Sequence, residues 1–166
     1  MNQPVDTDEK TDKLNQQLAT EIALHPFVSG MSSQHLYALA SQGVRMWYDK
    51  DQWLLREDKP ANRFYLIQEG EVTLEAMMEE RAPVLIQTLG AGDELGWSWL
   101  FPEHYFHFDA RAIGPTRTIG FYGPALLDLC AKDHEFGYDI TMRTPQALTK
   151  QLMAVRQKLV DAYRFP

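Results

Sequence analysis

The chain has 166 residues and a mass of 19.1 kDa, the size of one domain, with 45% hydrophobic and 23% charged residues, an ordinary globular composition that excludes wholesale disorder or low complexity. Acidic residues outnumber basic ones 23 to 16, for a formal net charge of -7, so a nucleic-acid surface, which needs clustered Lys and Arg against phosphates, is not expected. A single cysteine, Cys130, excludes an intrachain disulfide framework, no apolar run reaches the about 20 residues of a membrane span, and no basic-then-apolar leader is visible, which together predict a cytoplasmic setting.

Residues 1–13 carry Asp6, Asp8, Glu9 and Asp12 and a single aliphatic side chain, Val5, so they read as a disordered tail, with one domain over 14–166. Leu14, Leu18 and Ile22 then recur every fourth residue, one face of a short helix ending before Pro26. A second helix is predicted where Ser32 or Ser33 caps a stripe of Leu36, Leu39 and Ala40. From about residue 41 to 122 the period is that of strands. Segments rich in β-branched and aromatic residues are expected at 44–48, 52–56, 64–68, 71–78, 83–89, 106–112 and 116–122, separated by Asp, Lys, Gly and Pro clusters. Seven or eight short strands with no helices between them point to a mainly β fold with flanking helices, a sandwich or jelly-roll barrel.

Helical spacing returns at 124–163, with Gly123-Pro124 opening a short helix and Pro145 expected to break or kink a longer one. Leu148, Leu152, Val155, Leu159 and Ala162 then follow at intervals of 4, 3, 4 and 3, a heptad-like seam. Such a seam serves either a homodimer through the C-terminal helix or packing on the helix's own domain.

Three strings in the β region are specific. Phe64-Tyr65-Leu66-Ile67-Gln68-Glu69-Gly70-Glu71-Val72 resembles a hairpin of the cyclic-nucleotide-binding-domain superfamily, and Leu89-Gly90-Ala91-Gly92-Asp93-Glu94-Leu95-Gly96 resembles the turn that enters that family's phosphate cassette. Upstream, 55–63 is similar to its preceding loop. The resemblance spans about 26–163 and is to effector domains of the Crp/Fnr type. It implies a double-stranded β-helix or jelly roll with a long C-terminal helix and a regulatory, signal-transducing role in a bacterial setting. In those regulators the terminal helix mediates dimerisation and leads into a DNA-reading helix-turn-helix; here the chain stops at Pro166, and no DNA partner is expected.

In the resembling family the cassette continues with a glutamate that accepts from the ribose 2′-hydroxyl and an arginine that pairs with the cyclic phosphate, beside the N–H groups of a short helix. The matching stretch here is Gly96-Trp97-Ser98-Trp99-Leu100-Phe101, followed by Tyr105-Phe106-His107-Phe108-Asp109-Ala110-Arg111-Ala112. Trp97 stands at the glutamate position. Alignment on Ala112 places Phe106 at the arginine position, and a shift of one places Tyr105 there; neither is charged. Loss of two charge-assisted hydrogen bonds removes about 3 to 6 kcal/mol, which takes a micromolar binder to roughly millimolar or weaker. Conventional cAMP or cGMP binding is therefore not expected, and no cofactor is assigned.

The candidate pocket consists of Gly96, Trp97, Ser98, Trp99, Tyr105, Phe106, His107 and Arg111. Only one of the two indoles, separated by a single residue, is expected to face it, where Trp97 and Phe106 would stack on a planar ligand; alternatively, the rings fill the space left by ribose and phosphate. His107, Asp109 and Arg111 are expected to share one strand face opposite Phe106, Phe108 and Ala110, as a solvated stripe or as a relocated anion site. A cupin-like metal enzyme would need Glu103, His104 and His107 to converge, without a His-x-His pair in the sequence. Cys130 lies among aliphatic residues and reads as structural. No nucleophile-elbow, P-loop or zincin string occurs, so no metal and no catalysis are assigned. What remains is a sensor of a small molecule or, alternatively, a degenerate domain that docks on a protein partner, with no membrane role.

Overall fold

The computed structural model describes residues 6–79, 81–101, 103 and 105–164. Two four-stranded antiparallel sheets form a jelly-roll sandwich, flanked by helices at both ends of the sequence. The first sheet has the order β1 (Gly43–Tyr48), β8 (Thr116–Tyr122), β3 (Arg63–Glu69), β6 (Glu94–Leu95); the second, β2 (Trp53–Leu55), β7 (Asp109–Ala112), β4 (Glu71–Met78), β5 (Arg81–Gly90). The helices are α1 (Asp6–Ile22), α2 (Ser33–Ala40), α3 (Gly123–Lys132) and α4 (His134–Arg164), with 3-10 turns at Pro26–Val28 and Trp97–Leu100.

The apolar residues sort into two cores. Inside the sandwich, Leu55, Tyr65, Ile67, Val72, Leu74, Leu89, Leu95, Phe106, Ala110 and Ala112 pack together. On the helical side, Leu18, Ile22, Phe27, Val28, Leu39, Phe64, Trp97, Trp99, Ile119, Phe121, Leu126, Phe136 and Ile140 join the terminal helices to the outer face of the first sheet. Alternation along β3 accounts for the division: Phe64 and Leu66 point to the helices, Tyr65 and Ile67 into the sandwich.

Several boundaries differ from the sequence reading. The first helix starts at Asp6, so residues 6–13 are helical and not a disordered tail; 1–5 lie outside the described residues. Asp8 and Glu9 lie near the start of the helix, where its dipole favours negative charge, and Asp12 accepts a hydrogen bond from the Tyr37 hydroxyl of α2. The strand expected from Phe106 begins only at Asp109. Phe106 bonds instead to the 58–59 loop, its N–H donating to the Lys59 carbonyl (3.0 Å) and its own carbonyl accepting from Asp58 N–H (3.0 Å). β6 is too short for a period-two pattern to reveal. Nor does Pro145 break the last helix, which runs through it for 31 residues. The proline removes one backbone bond, but that turn is packed, with Ile140 and Thr144 buried and Leu148 against the core.

Two glycines are structurally required. Gly70 turns between β3 and β4 at φ +87, and a Cβ there would lie 2.5 Å from the Pro115 carbonyl oxygen. Gly96, at φ +93, ends β6 and opens the Trp97–Leu100 turn; a Cβ would collide with the Arg63 carbonyl oxygen.

Candidate functional site

Between the cassette end of the sandwich and α4 lies a cavity of about 300 Å³. Leu55, Leu74, Leu89 and Leu95 of the sandwich, the 96–98 turn, Phe101, and Phe106 to Phe108 line three of its sides. Helix α4 supplies the fourth with Ala147, Leu148, Gln151, Leu152 and Val155. Its polar lining residues include Gln87, Asp93, Glu94, Ser98, His107 and Lys150.

Trp97 is 6% exposed and packs mostly inward, its ring centroid 4.5 Å from Phe64 and 5.3 Å from Phe27, while also lining the cavity. Trp99, 1% exposed, lies deeper beside Phe64 and Gly123 and is not part of the lining. Phe106, also 6% exposed, belongs to the inner core and borders the cavity. The residue at the expected glutamate position and the favoured residue at the arginine position are thus buried aromatic rings.

Besides Trp99, two more of the expected pocket residues lie elsewhere. Tyr105 is half exposed and forms an isolated bridge to Pro60. Arg111 lies on the outer face of the second sheet, bonded to Glu75 (2.9 Å) and Asp51 (3.2 Å) and set over the Trp53 ring at 5.4 Å. Its role as a relocated phosphate cation is therefore corrected: it is turned away from the cavity. The expected stripe also divides. Asp109 and Arg111 do oppose the buried Ala110 and Ala112, but Asp109 is itself buried, accepting from Arg56 Nε (3.2 Å) and Glu57 N–H (2.7 Å). His107 precedes the strand and borders the cavity together with Phe106 and Phe108, so the predicted alternation fails before Asp109.

The heptad-like seam is divided as well. Leu148, Leu152 and Val155 line the cavity of their own domain, although Leu152 remains 63% exposed; Leu159, beyond the cavity, is 59% exposed.

The sequence reading missed Glu94 and Lys150. Lys150 Nζ forms an ion pair with Asp93 Oδ1, and Asp93 Oδ2 accepts from Gly90 N–H (2.9 Å). Glu94 lines the cavity from β6, and burial, followed by the charge of Asp93, pushes its carboxyl above the usual range, with Lys150 opposing. The signal lies in the adjacent Asp93 and Glu94 of the cassette turn, but nothing local brings α4 to them. Beneath the same turn, His25 is buried with Nδ1 accepting from Phe27 N–H (3.2 Å), and burial lowers its pKa.

Cys130 is half-buried and its thiol is pushed up by burial, away from nucleophilic character. Among the described residues no three His, Cys, Asp or Glu side chains converge on a metal-sized site; His104 lies outside them. No helix among the described residues is long and apolar enough to cross a membrane.

A jelly roll with flanking helices and a long terminal helix over a cassette-side cavity defines the structural class. The cyclic nucleotide-binding domain family model matches residues 45–133, more than half of the sequence, and the chain belongs to that family. Among solved structures it is similar to a cyclic nucleotide-binding domain from Methylobacillus flagellatus (21% identity, TM-score 0.75, covering 92% of this chain and 85% of that one). It also resembles the regulatory domain of Toxoplasma gondii PKA, crystallised with cAMP (15% identity, TM-score 0.69, covering 82% and 51%). A third relative in fold is the regulatory subunit of a cAMP-independent protein kinase A from Trypanosoma brucei (16% identity, TM-score 0.63, covering 76% and 49%). Among curated proteins, none matches this chain in sequence.

Proposed function

We propose that this domain is a non-enzymatic regulatory module that holds a small molecule other than a cyclic nucleotide in the cavity between the cassette and α4. The observation that carries this reading is the pairing of Trp97 and Phe106, both buried, at the positions where the family resemblance places the ribose-binding glutamate and the phosphate-binding arginine. Lys150 is the one Lys or Arg among the described lining residues, and Asp93 already engages it. A cyclic phosphate entering there would lose water without gaining the charge-assisted bonds that offset the loss.

An apolar ligand gains instead from the leucines and aromatic rings, and it touches α4 directly through Leu148, Leu152 and Val155. Occupancy therefore biases the position of α4 by as much as the ligand's affinity differs between the helix's two arrangements. A second reading, a protein-docking subunit, is supported by the exposed Leu152, Met153, Leu159 and Tyr163 on distal α4.

The test is a thermal-shift series with cAMP, cGMP and uncharged aromatic compounds at about 1 mM. A Kd of about 10 micromolar would stabilise the protein by about 2.7 kcal/mol at that concentration, a rise of several degrees. The expected result is a shift with aromatic compounds and none with cyclic nucleotides. A rise of that size with cAMP would overturn the reading, and no shift with any compound would favour the docking subunit.

A further inference from the structure

The cavity's charge is asymmetric. Among the described lining residues three ionisable side chains other than histidine occur: Asp93, Glu94 and Lys150. Asp93 and Lys150 neutralise one another in their ion pair. Glu94, half-buried at the start of β6, is in no ion pair among the described residues; besides the nearby charge of Lys150 only its own backbone N–H supports the carboxylate. It also borders a second, more polar cavity of about 240 Å³, whose other cation, Arg143, is engaged by the carbonyls of Phe27 (2.7 Å) and Ser29 (2.9 Å) and by Asp139. An unpaired carboxylate thus stands where the apolar cavity meets the polar one, and both nearby cations are occupied.

From this juxtaposition we infer that the ligand is an amphipathic cation, with a flat or aliphatic apolar body lying among Trp97, Phe101, Phe106 and Phe108 and an ammonium or amidinium head on the Glu94 carboxylate. This rests on the reading of the cavity as a ligand site and goes beyond it by assigning the sign of the ligand's charge. A carboxylate kept partly from water and outside any ion pair favours a donor-bearing cation, because the new charge-assisted bond offsets the hydration it displaces. The same group repels a carboxylate or phosphate, and the low polarity of the walls strengthens that repulsion.

The discriminating experiment is isothermal titration calorimetry on the full chain with three probes sharing one ring system: 1-naphthylmethylamine, 1-naphthylmethanol and 1-naphthylacetate. The amine is expected to bind about tenfold more tightly than the alcohol, with the acid weaker still. Glu94→Gln, which keeps the side chain's size, is expected to bring amine and alcohol to within about twofold while leaving the alcohol's affinity unchanged. Equal binding of all three, preference for the acid, or an amine preference that survives Glu94→Gln overturns the assignment of charge but leaves the cavity reading standing. If none of the three binds, the cavity reading falls and this inference falls with it.

Discussion

Trp97 packs in a triangle with Phe27 and Phe64, which also touch each other, and it borders the cavity as well. Its first contribution is therefore to the join between the cassette and the N-terminal helices. Trp97→Ala is expected to destabilise the fold by about 3 to 5 kcal/mol, as buried aromatic truncations do, in urea denaturation. A loss below 1 kcal/mol, on the order of a surface change, would show that the indole serves the ligand alone. Gly96 is a sharper case, since any side chain meets both the left-handed backbone and the Arg63 carbonyl. His25 brings pH into the same region. Burial holds its folded-state pKa below the ordinary histidine value of about 6.5, so the unfolded chain binds the proton more readily and stability falls as the pH drops below about 6.5. His25→Asn keeps an acceptor for the Phe27 N–H but does not titrate. Urea midpoints at about pH 7.5 and about pH 5.5 should therefore converge more closely in the variant than in the wild type. An identical pH dependence in both proteins would remove His25 as the source.

At the scale of elements, α4 faces two ways: Leu148, Leu152 and Val155 meet the cavity, whereas Leu159 meets solvent. Leu159→Asp therefore tests self-association without touching the cavity. If distal α4 forms a homodimer, light scattering will show the wild-type dimer and a monomeric variant; equal masses would remove the seam from any interface. The seam's spacing was legible in the sequence because 4-3 repeats report one helix face, but the same spacing serves a partner or the protein's own barrel. The strands of 64–68 and 71–78 were legible for a similar reason, their β-branched and aromatic residues being bounded by Gly70 and charged turns. The 106–108 segment was not. Its apolar residues mimic a strand, but Phe106 spends its backbone bonds on the 58–59 loop, a non-local competition that no period encodes. Arg111 was misplaced with it, since alternation gives the face of a residue and not whether that face borders a cavity. Glu94 and Lys150, 56 positions apart in sequence, line one cavity only because the fold brings α4 to the cassette turn.

For the whole molecule, two cores share β3 as a common wall, and the cavity opens where the inner core meets α4. Helix α4 is held unevenly. Near its middle, Arg143 is bonded to the carbonyls of Phe27 and Ser29, His35 Nδ1 lies 3.2 Å from Asp139, and Lys150 is paired with Asp93. Past Val155 the remaining turns run to Arg164 with mostly exposed side chains. The arrangement is mechanically that of a lever. Arg143 is the fulcrum, the load is applied about three turns away at Leu152 and Val155, and the free end lies about 31 Å out at 1.5 Å per residue. A rotation of about 10° at the fulcrum, less than one side chain's width at the cavity, carries Tyr163 through roughly 5 Å. If the domain works as the proposed regulatory module, its downstream contact is best sought at the tip of that arm, where a small change in cavity filling would become a displacement large enough to make or break a contact.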